Sequence, residues 1–177
     1  MKRRWLSWIA GIVGLAVVAA GIGLIIIYSG IYNVAANYPD PALVVRIMGI
    51  VVEHSVVRRA AGIKVPLLDD PGMVITGFQL YQKSCVGCHG APGVEQETVT
   101  KSFNPAPPEL VETAVEWEPN ELFWLTKNGI RMTGMPAWDK TLTDDQIWSI
   151  VAAVRKLKDT KPEEYVVLSA ETSASKK

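Results

Sequence analysis

The sequence predicts an all-α protein, and three observations support this fold class. An uncharged apolar stretch runs from Trp5 to Tyr28 and is long enough for a membrane helix. A later segment, "LTDDQIWSIVAAVRKL", starts with the capping-box pair Thr143 and Gln146. The apolar residues of that segment recur at the three- and four-residue spacing of a helix: Ile147, Ile150, Val151, Val154 and Leu157.

Composition and charge exclude two broad classes of protein. The chain has 177 residues, a formal net charge of zero and 49% hydrophobic residues. These values are not those of a disordered chain or of a nucleic-acid-binding protein. The charge is unevenly distributed, since Lys2, Arg3 and Arg4 open the chain and the part from Asp40 onward carries 15 basic and 18 acidic residues. A basic partner would be attracted to this part weakly and in a salt-dependent way.

The N-terminal region, residues 1–36, is predicted to be a membrane anchor. As a helix, the stretch from Trp5 to Tyr28 would span ~36 Å, against a hydrocarbon core of about 30 Å. The basic residues that precede it favour a cytoplasmic N-terminus and place the rest of the chain on the export side. A cleaved signal peptide is the alternative, because "NVAAN" allows cleavage after Ala36.

Residues 37–72 are predicted to be a linker that contains an amphipathic helix. Asp40 offers a capping oxygen and Pro41 suits the first helical position. Gly62 is a plausible stop, and Pro66 prevents continuation. This helix either packs on the main domain or rests at the membrane surface; docking to a membrane partner is the other interpretation.

Both cysteines of the chain lie in "CVGCH", which runs from Cys85 to His89. A thioredoxin-like redox pair would need a strand before the motif and a helix opening at it, which the flanking sequence does not provide. A structural zinc site would need four suitably spaced ligands. The third interpretation, and the one we predict, is the C-x-x-C-H attachment site of a c-type haem. Cys85 and Cys88 would form thioethers, and His89 would be the proximal iron ligand.

The second axial position has several candidate ligands: His54, Met48, Met73, Met132 and Met135. An open position would permit small-molecule chemistry, whereas a filled one leaves electron transfer as the main function. Most methionines are core filler, and a lone histidine such as His54 is more often a surface residue. We predict Met135, because Gly134 and Pro136 frame it in a tight loop; Met132 is the close competitor.

From about Gly77 to Leu157 the chain resembles a class I monohaem cytochrome c of the bacterial type. "GFQLYQKSCVGCHG" is similar to the N-terminal helix and attachment site of that family, and "NGIRMTGMPAW" to its methionine loop. "LTDDQIWSIVAAVRKL" resembles its C-terminal helix. The resemblance implies a small helical domain around one covalently bound haem c, with ligands His89 and Met135.

The same resemblance implies two internal contacts. An aromatic residue of the last helix, here Trp148, would pack near Gly77 and Tyr81 of the first. A backbone carbonyl from the proline-rich loop "NPAPPEL", from Pro107 or Pro108, would accept a hydrogen bond from the proximal histidine.

The remaining elements complete the predicted domain, which covers residues 73–160. A third helix is expected from Pro119 to Lys127. Trp124 and Trp138 would either flank the haem or fill space. Residues 161–177 are expected to form a flexible tail.

The predicted function is electron transfer by a membrane-anchored cytochrome whose haem domain faces the periplasm of a bacterial inner membrane. No enzymatic activity is predicted, and the expected partners are redox proteins rather than nucleic acid. One alternative is a cytochrome subunit of a larger respiratory membrane complex. Another is a haem enzyme or gas-binding protein with an open distal position.

Overall fold

The computed structural model describes residues 2–170, and this part of the chain is helical, with a single isolated bridge between Ala91 and Val94 and no strand. The all-α prediction is therefore confirmed. The helices are α1 (Lys2–Ser29), α2 (Ala42–Ala60), α3 (Pro71–Ser84), α4 (Val86–His89), α5 (Leu110–Thr113), α6 (Pro119–Asn128), α7 (Asp144–Val154) and α8 (Pro162–Ser169). Short 3-10 turns lie at Thr98–Ser102, Ala114–Glu116, Trp138–Lys140 and Leu157–Asp159.

The chain divides into two compact units, one ending at Tyr38 and the other beginning at Pro39. The first unit is α1 with the residues that follow it. Its segment Trp5–Ser29 is long and apolar enough to cross a membrane, with a mean hydropathy of 2.7, and its side chains are not buried within the protein. Length and composition thus suit the predicted membrane anchor.

The core of the second unit is the crossing of α3 and α7. A Cβ atom added to Gly77 would overlap the backbone carbonyl of Ser149 and lie 2.9 Å from the Cβ of Ala153, so only glycine fits there. The predicted packing of Trp148 against Gly77 is wrong. Trp148 instead stacks on Phe123, with ring centroids 4.2 Å apart. Neighbouring positions on a helix point about 100° apart, so Ser149, and not Trp148, faces α3.

The second helix differs in two respects from its prediction. It begins at Ala42 with Pro41 at the N-cap position and no side-chain cap. The carboxylate of Asp40 instead accepts a hydrogen bond from the Asn104 amide, at 3.1 Å. Apolar side chains surround this helix rather than forming one face, so it is not amphipathic. Its last turns pack on the domain, where Ala60 is buried.

Two predicted helices of the domain form with their expected caps. In α7, the backbone N–H of Gln146 donates to the Thr143 hydroxyl at 3.3 Å, and the backbone N–H of Thr143 donates to the side-chain oxygen of Gln146 at 2.9 Å. This reciprocal pair is the predicted capping box. The third predicted helix is α6, which ends one residue later than expected, at Asn128.

The C-terminal segment from 161 to 169 is not a flexible tail. It forms α8, in which Tyr165 is buried. The Tyr165 hydroxyl donates to the Gln82 side-chain oxygen at 2.7 Å, and its ring packs edge-on against Phe78. Tyr165 thus anchors this segment on α3. The rest of the predicted tail, residues 171–177, lies outside the described residues.

Candidate haem-binding site

One cavity of the helical domain brings together the four predicted site residues, Cys85, Cys88, His89 and Met135. Its volume is about 340 Å³, within the range of roughly 300–1,000 Å³ typical of ligand and cofactor sites. Apolar side chains dominate the lining and include Leu110, Leu122, Leu125, Ile130, Ile150, Val151 and Val154. Two thiols, an imidazole and a thioether on an apolar cavity fit a c-type haem.

The attachment motif is built on a single helical turn. Helix α3 ends at Ser84 and α4 follows at once, with the His89 amide donating to the Cys85 carbonyl at 2.9 Å. Gly90 then reverses the chain with a φ of +66°, which favours glycine. The buried Tyr81 hydroxyl donates to the Gly90 carbonyl at 2.7 Å and fixes this turn against α3. The turn therefore carries both thiols and the imidazole into one cavity.

The electrostatics of the thiols argue against a redox-active cysteine pair. Both cysteines are free, and burial, with a smaller effect of Cys88, raises the pKa of Cys85 to about 12. Reactive C-x-x-C thiols instead have a lowered pKa at the start of a helix. A zinc site also lacks support, because no three His, Cys, Asp or Glu side chains within residues 2–170 are grouped to hold a metal ion.

The proximal side of the cavity is set by the proline-rich loop. The Nδ1 atom of His89 lies 2.8 Å from the carbonyl oxygen of Pro108. Since a carbonyl only accepts, Nδ1 carries the proton and Nε2 keeps its lone pair for a metal. Burial lowers the pKa of His89, which favours the neutral, ligating imidazole. Pro107 is not the partner; its carbonyl instead accepts a hydrogen bond from the Gln96 side-chain amide at 3.0 Å.

The Thr133 hydroxyl holds the methionine loop, which also lines the cavity. The Met135 amide donates to the Thr133 hydroxyl at 3.1 Å, and this hydroxyl donates to the Ile130 carbonyl at 2.7 Å. Gly129 has a φ of +64°, and a Cβ there would lie 2.7 Å from the Met135 carbonyl oxygen. A side chain at position 129 would therefore displace the loop that presents Met135.

The competing candidates for the second ligand do not line the cavity. Met132 has a φ of +63° and is 87% exposed. His54 and Met48 lie exposed on α2, and Met73 packs against the hydrophobic core. Placement alone therefore favours Met135.

Several lining residues were not identified from the sequence, among them Phe103, Leu110 and Trp117. Phe103 precedes the proline-rich loop and Leu110 ends it. Their position beside the prolines was the sequence signal that could have identified them as lining residues. Of the two tryptophans considered earlier, Trp138 lines the cavity and Trp124 does not.

A comparison with protein families gives a match, which lies in the helical domain. Residues 72–152 match the family model described as cytochrome c oxidase, cbb3-type, subunit III. The matched region is somewhat less than half of the chain and contains the attachment motif and the methionine loop. No curated protein matches the chain.

Proposed function

We propose that the protein is a membrane-anchored electron carrier with one haem, because residues 72–152 match the family model of a c-type cytochrome subunit. His89 and Met135 would be the axial iron ligands. The observation that carries this proposal is the convergence of Cys85, Cys88, His89 and Met135 on one apolar cavity. The span Trp5–Ser29 would hold the carrier at the membrane.

Bound haem c supplies a one-electron couple between ferrous and ferric iron. The cysteines hold the group covalently, and the hydrogen bond to Pro108 orients His89 and increases its basicity. The Met135 thioether favours the ferrous state, and so does the apolar lining, because burial disfavours the additional charge of ferric iron. Met135 and the apolar lining would raise the reduction potential relative to bis-histidine ligation.

A carrier needs no acid, base or nucleophile. If His89 and Met135 both bound the iron, they would leave no open position on it for a substrate. Electrons would then enter and leave at the cavity mouth, whose rim includes the exposed residues Pro105, Ala106 and Pro136.

The orientation of the proposed carrier follows from its N-terminal charges. Lys2, Arg3 and Arg4 precede the span, and basic flanks stay in the cytoplasm. The haem domain would then lie on the periplasmic side of a bacterial inner membrane. Protease added to intact spheroplasts should digest the haem domain, and digestion only after lysis would contradict this orientation.

A second candidate function is a cytochrome subunit of a larger respiratory complex, favoured by the description of the matched family as an oxidase subunit. Native electrophoresis of mild detergent extracts, stained for haem and for oxidase activity, separates the two possibilities. A haem band that migrates with oxidase activity supports the complex. A band at the size of the single chain supports the stand-alone carrier.

Haem content tests the common premise of both candidates. A pyridine haemochrome assay should give one haem c per chain, and Cys85→Ser with Cys88→Ser should abolish covalent haem. Replacing a methionine outside the cavity, as in Met132→Leu, should leave the haem content unchanged. Covalent haem that survives loss of both cysteines would contradict the proposed attachment.

A further inference from the structure

The first half of α2 is an apolar helix that the rest of the described chain does not cover. Leu43, Val44, Ile47, Ile50 and Val51, here called the α2 apolar surface, are 42–68% exposed. They recur at three- and four-residue spacing on the side of α2 opposite to the buried Val56 and Ala60.

In the first half of α2, the side of the helix that faces the domain further along is exposed as well. Val45 is on the same side of the helix as Val56, yet Val45 is 58% exposed and Val56 only 1%. The last turns of α2 are held by burial of Ala60 and by the Asn120 amide, which donates to the Ala60 carbonyl at 3.0 Å. The helix is thus fixed to the domain at its C-terminal end. At its N-terminal end its own apolar side chains are exposed.

The charge of α2 has the opposite sign to that of the domain. The helix carries three arginines, Arg46, Arg58 and Arg59, and one acidic residue, Glu53, for a net charge of +2. From Ala61 to the C-terminus the chain carries 12 basic and 16 acidic residues. A negatively charged surface would therefore attract α2 and repel the rest of the domain.

The chain length also limits the distance between the start of α2 and the membrane. Residues 30–41 separate the predicted span from α2, and twelve residues extend to at most ~40 Å. This segment has no charge before Asp40 and includes Tyr32 and Tyr38, residues that favour the interface between lipid and water.

We propose that the first half of α2 lies in the headgroup and acyl boundary of the bilayer that holds the anchor, with Arg46 on anionic headgroups. The ten residues from 42 to 51 span ~15 Å, too short to cross a membrane. Apart from Arg46, apolar side chains point in every direction around this half of the helix, which suits immersion at the lipid boundary, whereas packing on one protein surface would need only one apolar side. The helix is then a second membrane contact, which limits the positions open to the haem domain. This inference rests on the membrane anchor of the proposed function.

Depth measurements on the full-length haem protein test the proposal. Because both native cysteines are thioethers in that form, an added cysteine can be labelled specifically. Ile47→Cys on the α2 apolar surface is compared with Val167→Cys on α8, where Val167 is also exposed, at 74%. Each variant carries an environment-sensitive nitrobenzoxadiazole dye. It is placed, one copy per disc, in nanodiscs of phosphatidylcholine and phosphatidylglycerol.

The dye at position 47 should emit at shorter wavelength and be quenched by nitroxide-labelled lipids, whereas the dye at 167 should be quenched by aqueous iodide. Equal iodide quenching at both positions would overturn the proposal. Protection at position 47 that develops only with two copies per disc, or only after a membrane protein fraction is added, would also overturn it and identify a protein occupant.

The spectrum of each labelled sample separates this inference from the proposed function. An intact sulfur-to-iron absorption band with iodide quenching at position 47 rejects the lipid contact and leaves the carrier in place. Lipid quenching at position 47 without that band supports the contact and rejects the proposed iron ligation.

Discussion

The imidazole of His89 donates from Nδ1 to the carbonyl oxygen of Pro108, 2.8 Å away. This bond joins the attachment turn to a loop nineteen residues later in the chain. It fixes the ring orientation and increases the basicity of the ligating nitrogen. The loop is itself held by the Gln96 side chain, which donates to the neighbouring Pro107 carbonyl at 3.0 Å.

We therefore expect Gln96→Ala to raise the reduction potential. Without the restraint of Gln96 on Pro107, the loop should move and weaken the hydrogen bond between His89 and Pro108. His89 would then be less basic and would stabilise ferric iron less, which raises the potential. Potentiometric titration measures the effect, and Thr98→Ala, a charge-neutral change at a nearby exposed residue, is the matched control. Equal potentials in the two variants would show that Gln96 does not position the loop.

Loss of the Thr133 hydroxyl should loosen the methionine ligand. In Thr133→Val, the Met135 amide loses the acceptor that lies 3.1 Å away, which costs about 1 kcal/mol. External imidazole should then displace the methionine more readily than in the wild type. Thr133→Ser keeps the hydroxyl and should behave like the wild type. Equal imidazole affinities in the Val and Ser variants would contradict a positioning role for this hydroxyl.

Gly77→Ala should destabilise the helical domain. The added methyl group meets the backbone of Ser149, and overpacking of this kind costs about 1–3 kcal/mol. Gly49→Ala is the matched control, because a Cβ at this helical position has no atom within 4 Å. It should instead stabilise the helix by roughly 0.5–1 kcal/mol. Denaturant unfolding monitored by haem absorbance measures both changes.

Burial of Tyr165 predicts a loss of stability in alkali. Desolvation by burial is the main cause that raises the pKa of Tyr165 from its ordinary value of 10.0 to about 12. The folded state therefore holds its proton more tightly than the unfolded state. This contribution to the free energy of unfolding is complete below pH 10 and is lost as the pH rises from 10 to 12.

Denaturant titrations at pH 9 and pH 11 compare the wild type with Tyr165→Phe. The variant should lose about 1 kcal/mol at pH 9, because the hydrogen bond to Gln82 is missing. It should also show a smaller decrease between the two pH values than the wild type. An identical decrease in both proteins would contradict the assigned titration.

The sequence was sufficient wherever a local pattern determines the geometry. The spacing of Cys85, Cys88 and His89 fits one helical turn, and the Thr143 capping box sets the start of α7. Gly134 and Pro136 marked the loop that brings Met135 to the cavity. Each of these features involves residues only a few positions apart.

The features that the sequence did not predict depend on contacts between distant segments. The choice between Pro107 and Pro108 depends on how their loop lies over His89, and α8 depends on Tyr165 reaching Phe78 and Gln82. Trp148 was expected to pack on Gly77. The sequence pattern gives the apolar positions of α7, but it does not give the rotation of α7 about its own axis where it crosses α3.

The absorption spectrum of the purified protein, oxidised and reduced, with and without carbon monoxide, tests the central claim most directly. The account predicts a weak far-red sulfur-to-iron band that is absent in Met135→Leu and retained in Met132→Leu, and no shift on adding carbon monoxide to the reduced wild type. Carbon monoxide binding by the wild type, with no far-red band, would contradict His89 and Met135 ligation and indicate an open haem site.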